Sequence, residues 1–393
     1  MKEGWEYKTL GEVGLFISGY TPKKNELNSS SGTPYFKVSD MNRLENQITL
    51  TYSDLYIKTP KKIFPKGSIV FPKNGGAIYT EKKRFLSQDS VIDLNSEAIF
   101  ADENYIIKEY LFYFLSSIKI SSFDNGGGLP SININRMKEC SVPLPNIDEQ
   151  RRIVSYLDSS FKLIDEIKNK ALKSLTEAKA LFQSALAEAM EPKEGWEEKT
   201  LGEICLIVGR IGFRGYTRKD IVTNKKDGAI TLSPSNIVNG NMCYNNCTYI
   251  SWFKYNESPE IKIQNGDILI VKTGSSYGKS AFVENLPHKA TINPQFVVLK
   301  DIKINHKFLS YQLKTKKTYD YINSIVSGSA IPTFSQANLS KMLTGLPPLP
   351  TQNSIVSRLD KFSSKVRDIE EKYQKMVEEC DALKQAMLRD VFE

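Results

Sequence analysis

The chain has 393 residues, of which 40% are apolar and 25% charged, with a net charge of +8. That length accommodates two domains of ordinary size, and no apolar run is long enough to cross a bilayer. The opening MKEGWEYK has no apolar export signal, and five irregularly spaced cysteines make no disulfide framework, so the expected compartment is the reducing cytoplasm.

In chain order, EGWEYKTLGEV at Glu3–Val13 comes first and returns as EGWEEKTLGEI at Glu194–Ile204, nine of the eleven positions being identical. A repeat of this length marks whole domains rather than solenoid units. A β-rich stretch follows to about Cys140, with candidate strands at Tyr35–Val38, Ser68–Phe71 and Ser90–Leu94 and a short helix at Glu109–Ile120. A Pro-Leu-Pro turn at Pro143–Pro145 leads to a helix over Ile153–Met190, free of Gly and Pro and ~57 Å long at ~1.5 Å per residue. Glu191-Pro192 ends it. The second half repeats the order: strands at Ile230–Leu232, Asp267–Val271 and Phe296–Leu299 matching those of the first, and a helix at His306–Lys317. A second Pro-Leu-Pro follows at Pro348–Pro350, then a helix from about Asn353.

The second long helix carries two interleaved lines of apolar residues, Ile355, Phe362, Ile369, Met376, Leu383 and Leu359, Val366, Tyr373, Cys380, Met387. These are the two positions of a coiled-coil seam. The first helix has the same register with smaller residues: Ile153, Leu157, Ser160, Ile164, Ile167, Ala171, Ser174, Ala178, Leu181 and Ala185. Large side chains over small ones predict an antiparallel pair, Ala178 near Phe362 and Ala171 near Ile369. The fold class is therefore α+β: two β-rich domains in tandem repeat, joined by two long helices that form an antiparallel coiled-coil pair with pseudo-two-fold symmetry. The boundaries are 1–142, 143–191, 192–347 and 348–393.

The positive excess lies in the globular repeats. Residues 1–147 carry 18 basic and 16 acidic side chains and residues 191–352 carry 20 and 13, whereas both helices are near balance. A polyanion such as DNA suits that distribution. Catalytic chemistry is hard to assemble. His288 and His306 have no counterparts in the first half, and Cys243 and Cys247 lack the second pair that a zinc site needs. GSSYGKS at Gly274–Ser280 is one residue short of a phosphate-binding loop, and NPQF at Asn293–Phe296 lacks the second proline of the aminomethyltransferase motif.

Three pairs of parallel loops read instead as a binding surface. GYTPKK at Gly19–Lys24 matches GYTRKD at Gly215–Asp220, and PKNGG at Pro72–Gly76 matches VKTGSS at Val271–Ser276. GGGLPSININR at Gly126–Arg136 matches GSAIPTFSQAN at Gly328–Asn338. Glycine lets backbone approach a ligand closely, and Lys, Arg, Ser, Thr and Asn donate to phosphates and base edges. The candidate DNA-binding residues of the first half are Tyr20, Thr21, Lys23, Lys24, Lys73, Asn74, Gly75, Ser131, Asn133 and Asn135. Those of the second are Arg214, Tyr216, Thr217, Arg218, Lys219, Lys272, Thr273, Ser275, Lys279, Ser335, Gln336 and Asn338.

The W-x-x-K-x-L-G-E openings, the G-Y-T loops, the G-D-I-L strand-loop and P-L-P-x-x-x-E-Q-x-x-I-V-x-x-L-D at Pro143–Asp158 together resemble the specificity subunit of type I restriction-modification systems, over essentially the whole chain. One departure is that PLPTQNSIVSRLD in the second half is three residues shorter and lacks the Glu149-Gln150 pair, with Gln352 as a partial substitute. The resemblance implies two target-recognition domains that read a bipartite sequence in double-stranded DNA. The helices would act as spacers that dock two methyltransferase subunits, to which restriction subunits add. It implies no catalysis or cofactor in this chain, with S-adenosylmethionine, ATP and Mg on the partner subunits. A self-contained nuclease or methyltransferase acting on DNA, or a coiled-coil protein scaffold, is the alternative on the residues alone.

Overall fold

The computed structural model describes residues 4–328 and 330–393, and the backbone alone at Phe213. Glu3 of the repeated opening and Ser329 of the third loop lie outside the described residues. The chain divides into two compact units, Met1–Leu172 with Gln374–Glu393, and Lys173–Tyr373.

In the first unit a five-stranded sheet runs Gly14–Ser18, Ser96–Ala101, Ile69–Pro72, Arg84–Leu86, Thr49–Leu50. A second sheet runs Leu27–Asn28, Tyr56–Ile57, Thr33–Phe36, Val91–Ile92, its last pair parallel. Ile69 and Phe71 join one core with Tyr110 and Phe114 of the helix Lys108–Ser117, while the intervening Val70 joins another with Phe36, Phe64 and Ile92. A strand buried on both faces reads as an unbroken apolar run. The second unit repeats this plan with Leu206–Gly209, Phe296–Lys300, Ile268–Val271 and Ser280–Phe282 in one sheet. Ile268 and Ile270 face one core, Leu269 and Val271 the other. The registers agree, Ile69 opposite Ile99 and Ile268 opposite Leu299. This corrects the strand matching: Phe296–Lys300 corresponds to Ser96–Ala101, and Val91–Ile92 corresponds to Ala290–Ile292, each of the latter two parallel to its neighbour.

The repeated opening has a local cause. Glu6–Thr9 pairs with Ser141–Leu144 and Glu197–Thr200 with Leu343–Leu346, so the first and last strands of each domain meet. Each opening strand ends in a capping box. The Thr9 amide donates to Glu12 at 2.6 Å and its hydroxyl at 2.8 Å; the Thr200 amide and hydroxyl both donate to Glu203 at 2.6 Å. These bonds hold both exposed carboxyls below the usual range, the amide leading at Glu12 and the hydroxyl at Glu203.

Pro143 and Leu144 are strand residues rather than a turn, tolerated because a two-stranded ribbon has only edges. The structural equivalents of Pro143-Leu144-Pro145 are Gly345-Leu346-Pro347, not Pro348–Pro350. With that alignment the spacing is the same in both halves. Gln150 is wholly buried; its Oε1 accepts from the Ile107 amide at 3.0 Å, and its Nε2 donates to the carbonyls of Tyr105 at 2.9 Å and Pro145 at 3.0 Å. Gln352 accepts from the Asn305 amide at 3.0 Å and donates to the Pro347 carbonyl at 2.8 Å. Gln352 thus stands where Gln150 stands.

The long helices span Ile147–Met190 and Leu349–Phe392, beginning earlier than their apolar patterns do. The expected helix His306–Lys317 is interrupted after Gln312, and Thr315 caps a new helix, Lys316–Ile325. In the first unit Lys168 pairs with Asp381 and Lys384 with Asp165, each at 2.6 Å, so the two segments there run antiparallel. In the second unit Phe182 meets Phe362, ring centres 6.0 Å apart, and Leu186 shares a core with Val356 and Leu359. The seam differs from expectation in one line. Leu157, Ile164, Ala171, Leu359, Val366 and Cys380 are buried, but Ile167, Leu181, Ile369 and Leu383 are exposed. The line one residue further on turns inward instead, with Phe161, Lys168, Phe182 and Lys384. The alkyl stem of a lysine can cover a seam while its ammonium reaches an acid at the rim, and counting apolar residues cannot see this.

Replacing Gln150 by Ala leaves two carbonyls and an amide without partners and lowers stability by about 2–3 kcal/mol, and Gln352→Ala acts in the same direction. Urea unfolding of each variant measures this.

Candidate nucleic-acid interface

In each domain the loops after the central strands are tied together by backbone. In the first, the Gly75 amide donates to the Pro130 carbonyl at 2.7 Å, Asn74 bridges Ser131, and the Ile132 amide donates to the Lys73 carbonyl at 2.8 Å. In the second, the Gly274 amide donates to Pro332 at 2.9 Å, Thr273 bridges Thr333, and the Phe334 amide donates to Lys272 at 3.2 Å. Gly75 and Gly274 have φ of 74° and 101°, a region in which a side chain would be strained, so glycine sets both turns. The Thr273 and Thr333 hydroxyls add a 2.8 Å bond, and Asp124 accepts from the Ser131 amide at 3.0 Å and the Tyr79 hydroxyl at 2.7 Å. The Tyr79 bond, first, and the Ser131 amide hold the Asp124 carboxyl below its ordinary range.

The G-Y-T loop joins the same end of each domain. The Gly19 amide donates to Ser96 at 3.1 Å and the Tyr20 amide to Ile92 at 3.1 Å, beside the turn where the Lys73 amide donates to Asn95 at 2.8 Å. In the second domain the Lys272 amide donates to Gln295 at 2.7 Å. Arg210, which the sequence reading missed, binds this region from below. Its guanidinium donates to the Ile292 carbonyl at 3.1 Å, the Thr291 hydroxyl at 3.2 Å and the Arg214 carbonyl at 3.3 Å, and lies 5.3 Å from the Tyr216 ring centre. It is only 6% exposed, and burial lowers its pKa. Its planar fork of donors suits this role, as a lysine's ammonium would not.

The candidate residues fall into two groups. Thr21, Lys23, Lys24, Asn135, Thr217, Arg218, Lys219, Ser275 and Lys279 are exposed. The others, of which Ser335 and Asn338 are also exposed, have partners in the protein or lie in the tied loops. The Tyr20 hydroxyl accepts from the Lys61 amide at 3.1 Å. Asn133 and Ser335 cap short helices, accepting from the Arg136 and Asn338 amides, each at 3.0 Å. Arg214 lies 3.5 Å from Glu260, and Tyr216 accepts from the Thr231 hydroxyl at 3.5 Å. Lys73 pairs with Glu97 at 3.0 Å. Asn74, Gly75, Ser131, Lys272, Thr273, Gln336 and Asn338 lie in or beside the tied loops.

Both histidines are occupied by backbone: His288 meets the Gly228 carbonyl at 3.0 Å and His306 the Gly266 carbonyl at 2.8 Å. Among the described residues no group of three or more His, Cys, Asp or Glu converges as a metal site, and no helix is long and apolar enough to cross a membrane. GSSYGKS lies between two strands rather than at the start of a helix.

The profile of the Type I restriction modification DNA specificity domain matches twice, over residues 2–177 and 193–379. The EcoR124I/EcoR124II specificity subunit of Escherichia coli is 28% identical over 42% of this chain and 43% of its own length. The MjaVIII specificity subunit of Methanocaldococcus jannaschii is 22% identical over 96% of this chain and 90% of its own. Among solved structures, a chain from a study of complex assembly and conformational transition of the type I R-M system superposes with a TM-score of 0.74 at 20% identity, covering 99% of this chain and 97% of that one. The HsdS subunit from Thermoanaerobacter tengcongensis gives 0.51 at 20% identity, covering 100% and 97%.

Arg210→Met removes partners from two carbonyls and destabilises the protein by about 2 kcal/mol, whereas Arg218→Met, at an exposed position, stays within about 0.5 kcal/mol of the parent. Denaturant midpoints compare the two.

Proposed function

The chain belongs to the family of type I restriction-modification DNA specificity subunits, and on that premise we propose that each β-rich domain reads one half of a split duplex target. Subunits of this family select the DNA sequence and have no catalysis of their own; they work with methyltransferase and restriction subunits. In this reading residues 1–142 and 192–347 are the recognition domains, with 143–191 and 348–393 as spacers. The observation that carries it is the loop pair tied by Gly75 to Pro130 in one domain and by Gly274 to Pro332 in the other. The first pair offers Asn74, Ser131, Asn133 and Asn135, and the second Lys272, Thr273, Ser275 and Asn338, beside rigid backbone, and rigid placement is what base readout requires. Exposed Lys23, Lys24, Arg218 and Lys219 supply phosphate contacts that set register without carrying sequence information. Two methyltransferase subunits would flank the chain, bind S-adenosylmethionine and turn the target base out of the duplex. ATP and Mg would serve the restriction subunits, and the assembly would act in the cytoplasm.

Mapping methylated positions in DNA exposed to this chain with its methyltransferase partner tests the reading. The expected outcome is a split motif with a gap of constant length; a continuous motif or none overturns it. Exchanging residues 1–142 for those of a relative changes one half of that motif and leaves the other half intact.

A further inference from the structure

Lys73 and Lys272 occupy equivalent positions. Each follows the central strand of its domain, and each backbone carbonyl accepts from the third loop, from Ile132 and Phe334 respectively. Their side chains meet different surroundings. Lys73 Nζ lies 3.0 Å from Glu97 Oε2, and both groups are withdrawn from solvent, the side chains being 14% and 3% exposed. The Ser18 hydroxyl donates to the same carboxylate oxygen at 2.6 Å. A carboxylate this deeply placed needs its cation, because the attraction has to offset lost hydration. In the second domain the register puts Val297 where Glu97 stands and Gly209 where Ser18 stands. The carboxylate and its hydroxyl are both gone, and the Gln336 side chain lies so close to Gly209 that an added Cβ would be 2.5 Å from its Nε2. Among the described residues Lys272 has no acidic partner within ion-pair distance, although it is itself partly buried. The segment that holds it, residues 191–352, carries 20 basic against 13 acidic side chains.

We propose that the two lysines have divided roles: Lys272 binds a DNA phosphate, while Lys73 is the internal counter-ion of Glu97 and binds none. The proposal rests on the DNA-reading function above and adds that the second domain uses a cation at this position where the first does not. Its chemistry is that of a phosphodiester facing an uncompensated ammonium.

The test measures affinity for a labelled random-sequence duplex across a salt series, using the full chain in its assembled complex. Each phosphate contact contributes about 0.9 to the slope of log K against log salt. Lys272→Met reduces the magnitude of that slope by about 0.9. The double variant Lys73→Met/Glu97→Val, which copies the apolar residue of the second domain, leaves the slope at the parent value. Glu97→Gln keeps the shape of the side chain and frees the Lys73 charge, so it leaves affinity unchanged or raises it. Melting temperatures report folding, and Glu97→Gln serves alone if the double variant does not fold. A flattened slope in the double variant, weaker binding in Glu97→Gln that melts as the parent does, or an unchanged slope in Lys272→Met overturns the division of roles. Absence of salt-dependent duplex binding by the parent complex overturns the DNA-reading function itself.

Discussion

Each β-rich domain leaves an apolar face that its own strands and short helices do not cover, and the end of a long helix from outside the domain covers it. In the second unit Leu186, Ala189 and Met190, the last turns of the helix that precedes the domain, enter the core with Phe308 and Leu339. In the first unit the corresponding residues come from the end of the chain. Phe392 sets its ring 5.2 Å from Tyr110 and 5.7 Å from Phe114, and Leu388 is 1% exposed. Burying such a side chain is worth about 1.5–3 kcal/mol. The first domain's core is therefore joined by Phe392 of the second long helix.

The start of each helix is fixed as strictly as its end. The Gln150 and Gln352 amides satisfy backbone groups that the junction of strand, helix and loop would otherwise leave unpaired. Beyond them, the Tyr311 hydroxyl donates to Asp360 at 2.6 Å, and Tyr113 bonds Asp158 at the equivalent place. Each domain thus grips its own following helix by a buried amide and a phenol-carboxylate bond. Burial and that carboxylate together raise the Tyr311 hydroxyl's pKa, so it stays a donor at neutral pH.

The repeat, the β-rich domains and the long helices were legible because they rest on local signals: identical strings, β-branched runs between turn residues, and long stretches without Gly or Pro. What failed depended on partners remote in sequence. The apparent three-residue deficit in the second half came from matching one Pro-Leu-Pro to another. Strand pairing instead equates Leu144 with Leu346, and no single string of residues encodes that equivalence. The displaced seam line has a similar origin, since the partners that Lys168 and Lys384 meet, Asp381 and Asp165, lie on the other long helix, far away in sequence.

The site divides along the same boundary. Glycine and lysine in parallel loops pointed to one shared end of each domain, because turn chemistry is local. Whether a given lysine is available depends on what the neighbouring strand places beneath it. Glu97 sits in the strand SEAIFA, an acid in an apolar run, and its counterpart in FVVLK is Val297. Arg210 takes a position that in the first domain belongs to Gly19, where even a Cβ would lie 1.9 Å from the Asp93 carbonyl oxygen. Two domains with one backbone plan therefore differ beneath their loops, Glu97 against Val297 and Gly19 against Arg210. A buried change there alters the charge offered above, as the Lys73–Glu97 pair and, among the described residues, the unpaired Lys272 show. Recognition can diverge in this way while the strands, the capping boxes and the helix locks of the two halves stay alike.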